Sequence, residues 1–155
     1  MSVMAIDKIK GVGSLGGIQN KAKDGFDAEA VVQYWCTEAE DSLAVAGHLI
    51  EKKDYSYALF FAHLAIEKEL KALHVVKQGR HAPPIHNLLR LANAVGLELD
   101  QQRINNLTLI TAFNIEARYP DIKQDFRRRC TKEYTSEQMA TVKEMFEWLK
   151  SHLIS

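Results

Sequence analysis

His63, Glu67 and Lys71 recur every fourth residue in His63-Leu-Ala-Ile-Glu67-Lys68-Glu69-Leu70-Lys71-Ala72-Leu73. On a helix that spacing stacks an imidazole, a carboxylate and an ammonium along one face. His74 lies one further turn along. An imidazole moves protons near neutral pH, and a carboxylate beside it can orient it. Glu67 before Lys71 is also the favourable order for an ordinary surface ion pair. Tyr55, Tyr57, Phe60 and Phe61 crowd the start of the same helix, so its polar stripe is better suited to a cleft or a partner helix than to bulk solvent. His63 and Glu67 have the spacing of two metal ligands, but no third ligand lies beside them, and no metal is expected.

Arg118-Tyr119-Pro120-Asp121 is the second set. A guanidinium grips phosphate in a fixed, bidentate geometry. Tyr119 can stack on a base, and Asp121 can steady Arg118 or cap the next helix. The plain alternative is an ion pair of Arg118 with Glu116 or Asp121 beside a proline kink. Arg127, Arg128, Arg129 and Lys132 add basic charge; consecutive arginines on a helix point in different directions and read first as solvated surface. His81 and His86 flank Pro83-Pro84. His86 either fixes the turn through neighbouring backbone or offers an imidazole at a helix start for proton transfer or phosphate contact. No nucleophile elbow, no phosphate loop with lysine and no zinc-type cysteine array is present.

The elements that must position these groups are helical. Asp27 can cap a first helix running to about Lys52, with Val31, Val32, Trp35, Leu43, Ala46 and Leu49 at helical spacing. Lys52-Lys53-Asp54 is the turn, and Asp54 can cap the second helix. Gly79 stops that helix, and Pro83-Pro84 keeps the following loop from continuing it. A short third helix carries Leu88, Leu89 and Leu91 and ends at Gly96. A fourth spans roughly Asp100 to Arg118, where Pro120 ends or kinks it. Asp121 to Tyr134 is a polar, partly helical connector, and Ser136 marks the last helix. The expected fold is all-α, an up-and-down bundle of four to five antiparallel helices.

At 155 residues the chain suits one domain with a sizeable core. Residues 1–26 hold five of the eight glycines and few large apolar side chains, which suggests a flexible arm before a domain over 27–155. Gly11, Gly13 and Gly16 match a dinucleotide fingerprint by count, but no βαβ unit surrounds them. Twenty basic and twenty acidic side chains cancel, which disfavours general electrostatic capture of nucleic acid or membrane and favours self-association. Cys36 and Cys130 read as reduced, packed thiols. No apolar run reaches membrane-spanning length and no signal peptide is evident, so the cytoplasm is the expected location.

Trp35, Ala39-Glu40-Asp41, Ala44 and Ala46, then Tyr57-Ala58, Phe61, His63, Ala65, Glu67-Lys68 and Leu70-Lys71-Ala72-Leu73, then His86-Asn87-Leu88, then Ala117-Arg118-Tyr119-Pro120-Asp121 together resemble the HEPN family. The likeness covers roughly Val31 to Leu153. It implies a helical bundle that often dimerises, a nucleotide- or RNA-binding cleft, and a small nucleotidyltransferase as partner, often in a toxin–antitoxin pair. Nuclease members share an Arg-x4–6-His motif. Arg118 falls where that arginine would be, but Lys123 and Asp125 stand where the histidine is sought. Arg80 and His86 fit the count, but in the loop after the second helix.

Three functions follow as expectations. The first is a nucleotide-binding homodimer acting with a nucleotidyltransferase, with His63, Glu67, Lys71, Arg118, Tyr119 and Asp121 around the ligand and no cofactor beyond it. The second is a metal-independent RNA endonuclease in which Arg118 and His86 carry the chemistry. The third is a non-catalytic dimeric interaction module.

Overall fold

The computed structural model describes residues 25–154, apart from the side chains of Pro120 and Asp121. All but the last two residues of the expected arm, and the glycine run with them, lie outside the described residues. The described chain forms six helices: α1 (Ala28–Glu51), α2 (Tyr55–Gln78), α3 (Leu88–Val95), α4 (Gln101–Glu116), α5 (Pro120–Arg129) and α6 (Lys132–Leu153). It contains no strand among the described residues. The fold is an all-α bundle with one helix more than expected, because most of the polar connector is itself helical.

Sequence chemistry sets the ends. The Asp27 carboxylate accepts from the Ala30 N–H at 3.1 Å, and the Asn87 amide oxygen accepts from the Arg90 N–H at 3.0 Å. Asp54 stands at the N-cap of α2, but its side chain makes no capping bond. Gly79 and Gly96 close α2 and α3 at φ of 69° and 91°, a region glycine enters without steric cost. Pro120 takes the first turn of α5, where its missing N–H costs nothing. The last helix begins at Lys132 rather than near Ser136, because the Thr131 hydroxyl caps it through the Tyr134 N–H at 3.1 Å.

α1 buries Ala28, Val32, Cys36, Ala39, Ser42 and Ala46 at steps of three or four, the single stripe of a surface helix. α2 is different. It packs against each of the other five helices and buries fifteen of its twenty-four residues. Ala58, Ala62, Ala65 and Ala72 have no exposed surface, which lets neighbouring helices approach its backbone. A helix covered on most sides cannot keep all its polar groups in water, so His63, Glu67, Glu69, Lys71 and His74 are buried with the alanines. Phe113 of α4 stacks on Phe126 of α5 at 5.9 Å between ring centres, which anchors the connector helix. Cys36 and Cys130 are free and buried. None of the helices is long and apolar enough to cross a membrane, among the described residues.

Candidate functional site: a buried carboxylate under an exposed histidine

Glu67 is the hub. Its carboxylate is nearly closed to solvent, at 5% exposure. Oε2 accepts from Lys71 Nζ at 3.0 Å. Oε1 accepts from His86 Nδ1 at 3.1 Å and lies 3.9 Å from His63 Nε2. A buried carboxylate persists only when it is paired and hydrogen-bonded, and Glu67 has both kinds of partner. One of them comes from the helix, one turn away; the other comes from the loop between α2 and α3.

His63 ties that loop down. The ring has no exposed surface, and Nε2 donates to the His86 carbonyl at 3.1 Å. Burial holds its pKa below the usual histidine range, against the pull of Glu67; the positive charges of His86 and Arg118 push the same way as burial. His63 is therefore neutral near pH 7, with the proton on Nε2 and no partner for Nδ1 among the described residues. Lys71 Nζ also stands 5.0 Å from the centre of the Trp35 ring, so its charge is shared between a carboxylate and an indole face.

His86 is left half in water, its side chain 56% exposed. With Nδ1 spent on Glu67, Nε2 is the ring atom that remains to act outward. A carboxylate on Nδ1 fixes the ring's tautomer and orientation. The loop is further fixed where the Leu88 N–H donates to Thr111 Oγ1 of α4 at 3.0 Å.

Arg118 follows the end of α4, exposed, with its guanidinium 5.7 Å from the centre of the Phe60 ring on α2. Its charge acts on His63, which places it at the same end of the stripe. The alternative pairing with Glu116 is not what forms: Glu116 bonds Arg129 instead. Tyr119 is 57% exposed at the start of α5. The side chain of Asp121 lies outside the described residues. The structure thus brings His63, Glu67, Lys71 and His86 into one network and sets Arg118 at its edge. His74 is buried further along α2, its pKa lowered by burial. Among the described residues no group of three or more His, Cys, Asp or Glu converges as a cation site.

Two groupings escape sequence reasoning. Lys123 and Arg127 of α5 both donate to the Tyr57 hydroxyl, at 2.6 and 3.3 Å; the Lys123 bond leads in lowering the Tyr57 pKa. Glu69 is buried beside the Glu40–Lys150 ion pair, which closes at 3.0 Å. Burial, then Glu40, push its pKa up to about 8. The helical period shows that Glu69 shares α2 with the stripe, but only the packing of α1 and α6 shows that Oε1 meets no partner among the described residues.

A family model described as HEPN domain matches residues 32–152. The fold is similar to the crystal structure of TT1696 from Thermus thermophilus, with a TM-score of 0.67 at 22% sequence identity, covering 78% of this chain and 97% of that one. At that identity the likeness concerns the fold. No curated protein matches the chain.

Proposed function

This chain belongs to the HEPN family, and from that membership and the geometry of the Glu67 network we propose that it binds a nucleotide where His86 and Arg118 face solvent. One observation carries the reading: a buried carboxylate holds the half-exposed His86 ring through one nitrogen, and the charges of both His86 and the exposed Arg118 act on the same buried His63. An imidazolium and a guanidinium at one end of a site suit a phosphate, which accepts hydrogen bonds from both. In this reading Arg118 grips the phosphate, and His86, in its imidazolium form with Nδ1–H on Glu67, adds a second donor from Nε2. Tyr119 supplies an exposed ring for the base, and Asp121 steadies the junction. Glu67, Lys71 and His63 act from beneath, since all three are buried; they position His86 rather than touch the ligand.

We extend the reading to a cytoplasmic homodimer that works with a nucleotidyltransferase partner in a toxin–antitoxin-like module. The family resemblance supports that part, along with a net charge of zero, which favours self-association. Calorimetric titration with purine and pyrimidine mononucleotides, with and without magnesium, tests the binding. Saturable binding that weakens at least ten-fold in Arg118→Ala is expected. Absence of binding to every nucleotide would end the proposal.

A second reading has its own support. The Arg-x4–6-His stretch lacks its histidine, and His86 offers a half-exposed imidazole from another loop, bonded to Glu67 on α2. In an RNA endonuclease, His86 Nε2 would take the proton of a ribose 2′-hydroxyl. The 2′-oxygen would attack phosphorus, the 5′-oxygen would leave, and a 2′,3′-cyclic phosphate would remain. Arg118 would stabilise the charge on the pentavalent phosphorus. His63 does not suit that role, because it is fully covered and its Nε2 is committed to a carbonyl. Metal-free cleavage of a labelled RNA, lost in both Arg118→Ala and His86→Ala, is the expected result. An intact RNA after long incubation would leave binding as the function.

A further inference from the structure

The N-terminal end of α2 holds a second pocket, of about 370 Å³, lined by Lys53, Asp54, Ser56, Tyr57, Arg127 and Cys130 among others. It lies between the α1–α2 turn and α5. Ser56 comes seven residues before His63, about 10 Å along the helix, so this pocket stands apart from the Glu67 network.

The backbone at this end offers donors without acceptors. Ala58 is the first residue of α2 whose N–H reaches a carbonyl, that of Asp54 at 2.9 Å. Asp54 is the N-cap residue, yet its carboxylate takes no capping bond. The amides of Tyr55, Ser56 and Tyr57 are therefore open donors at the positive end of a helix of 24 residues. A buried side chain adds to them. Ser56 faces the pocket and is only 6% exposed, and its hydroxyl has no hydrogen-bond partner among the described residues. A buried hydroxyl is ordinarily paired, so this one is left for a group that enters the pocket.

The charge around it is positive. Lys123 and Arg127 each give a donor to the Tyr57 hydroxyl, and neither meets a carboxylate among the described residues. Lys53 has no acidic partner there either. Cys130 is a neutral thiol, its pKa pushed up to about 11, chiefly by burial. Asp54 is the one acidic residue in the wall, against Lys53, Arg127 and the helix end.

We propose that this pocket is a phosphate site separate from the surface of His86 and Arg118, and that its ligand is a phosphate group, either free or as the monoester of a small molecule. The α2 amides and the Ser56 hydroxyl donate to its oxygens, and Lys53 and Arg127 balance its charge. A pocket of this volume admits a short organic tail as well as the anion.

Amide NMR of the full chain tests this, with titrations of inorganic phosphate, glycerol phosphate and, at matched ionic strength, sodium chloride. The Tyr55, Ser56 and Tyr57 resonances should shift saturably with phosphate and not with chloride. Lys53→Gly and Arg127→Gln should each weaken phosphate roughly five-fold, and Ser56→Ala about three-fold. Glycine suits the φ of 65° that Lys53 holds, so the first of these losses is not one of folding. Asp54→Asn should tighten binding, and Arg118→Ala should leave it unchanged. Free phosphate bound more tightly than the ester would name the free anion as ligand; an ester bound equally or better would name the monoester. Shifts no more saturable than those with chloride, or of equal affinity in Lys53→Gly and Arg127→Gln, would overturn the site. Loss of the shifts in Arg118→Ala would overturn it as well, by assigning the phosphate to the surface of His86 and Arg118.

Discussion

Glu67 shows how one side chain can be both a stabilising centre and a positioning device. Its carboxylate neutralises Lys71, which is 8% exposed, and anchors the loop through His86. Removing one member of a buried pair strands the other charge without water. Glu67→Ala should therefore lower stability by about 3–5 kcal/mol, measured by urea unfolding. Pairing it with Lys71→Met should recover much of that loss, because an apolar neighbour needs no counter-charge. In Glu67→Gln the neutral amide still accepts from one neighbour, so the fold should persist while the His86 ring loses its charged anchor. The predicted signature is faster amide exchange in the loop between α2 and α3. Unchanged exchange there would mean that the carboxylate does not anchor the loop through His86.

At the scale of elements, α2 carries the site because it is the helix that all the others cover. The periodicity of His63, Glu67 and Lys71 was readable as one face of one helix, and the stops at Gly79 and Gly96 and the cap at Asp27 were readable from residue type alone. The join between that face and His86 was not, because it depends on how a proline-containing loop folds back over the helix, and no local pattern encodes a bond across nineteen residues. The helical nature of the connector was only half visible. α5 is strongly polar and is held by the Phe113–Phe126 stack and by bonds from Lys123 and Arg127 to Tyr57. A run of three arginines looks like undivided surface charge in the sequence. In the fold they separate: Arg127 goes to Tyr57, Arg128 to Asp125 and Arg129 to Glu116. Tyr57→Phe removes the acceptor that gathers Lys123 and Arg127. Amide exchange in α5 should accelerate, and exchange in α2 should not. Equal protection in both proteins would assign the docking of α5 to Phe126 alone.

For the whole molecule, two buried titrating groups shape the dependence of stability on pH. Glu69 has its pKa raised to about 8 by burial first, then by Glu40 and Glu147, with Lys150 pulling the other way. The folded protein keeps that proton where the unfolded chain has released it. Its favourable contribution is complete below about pH 4.5 and fades as pH rises toward 8. His63 acts oppositely: its folded pKa is lowered, so its contribution is present above about 6.5 and is lost as pH falls below that. Glu69→Gln should flatten the alkaline limb and raise stability at pH 8 by on the order of a few kcal/mol, read from denaturant midpoints between pH 5 and 9. A mutant whose midpoints fall in parallel with the parent's would show that Glu69 is not the group responsible.

The central claim is that Arg118 and the Glu67-held His86 make one phosphate-binding surface. It is tested most directly by calorimetric titration of mononucleotides into the native protein, Arg118→Ala and His86→Ala. The account expects saturable binding to the native protein and a loss of at least ten-fold in each variant, with both variants folded by circular dichroism. Binding of equal strength in all three proteins, or in none, would contradict it.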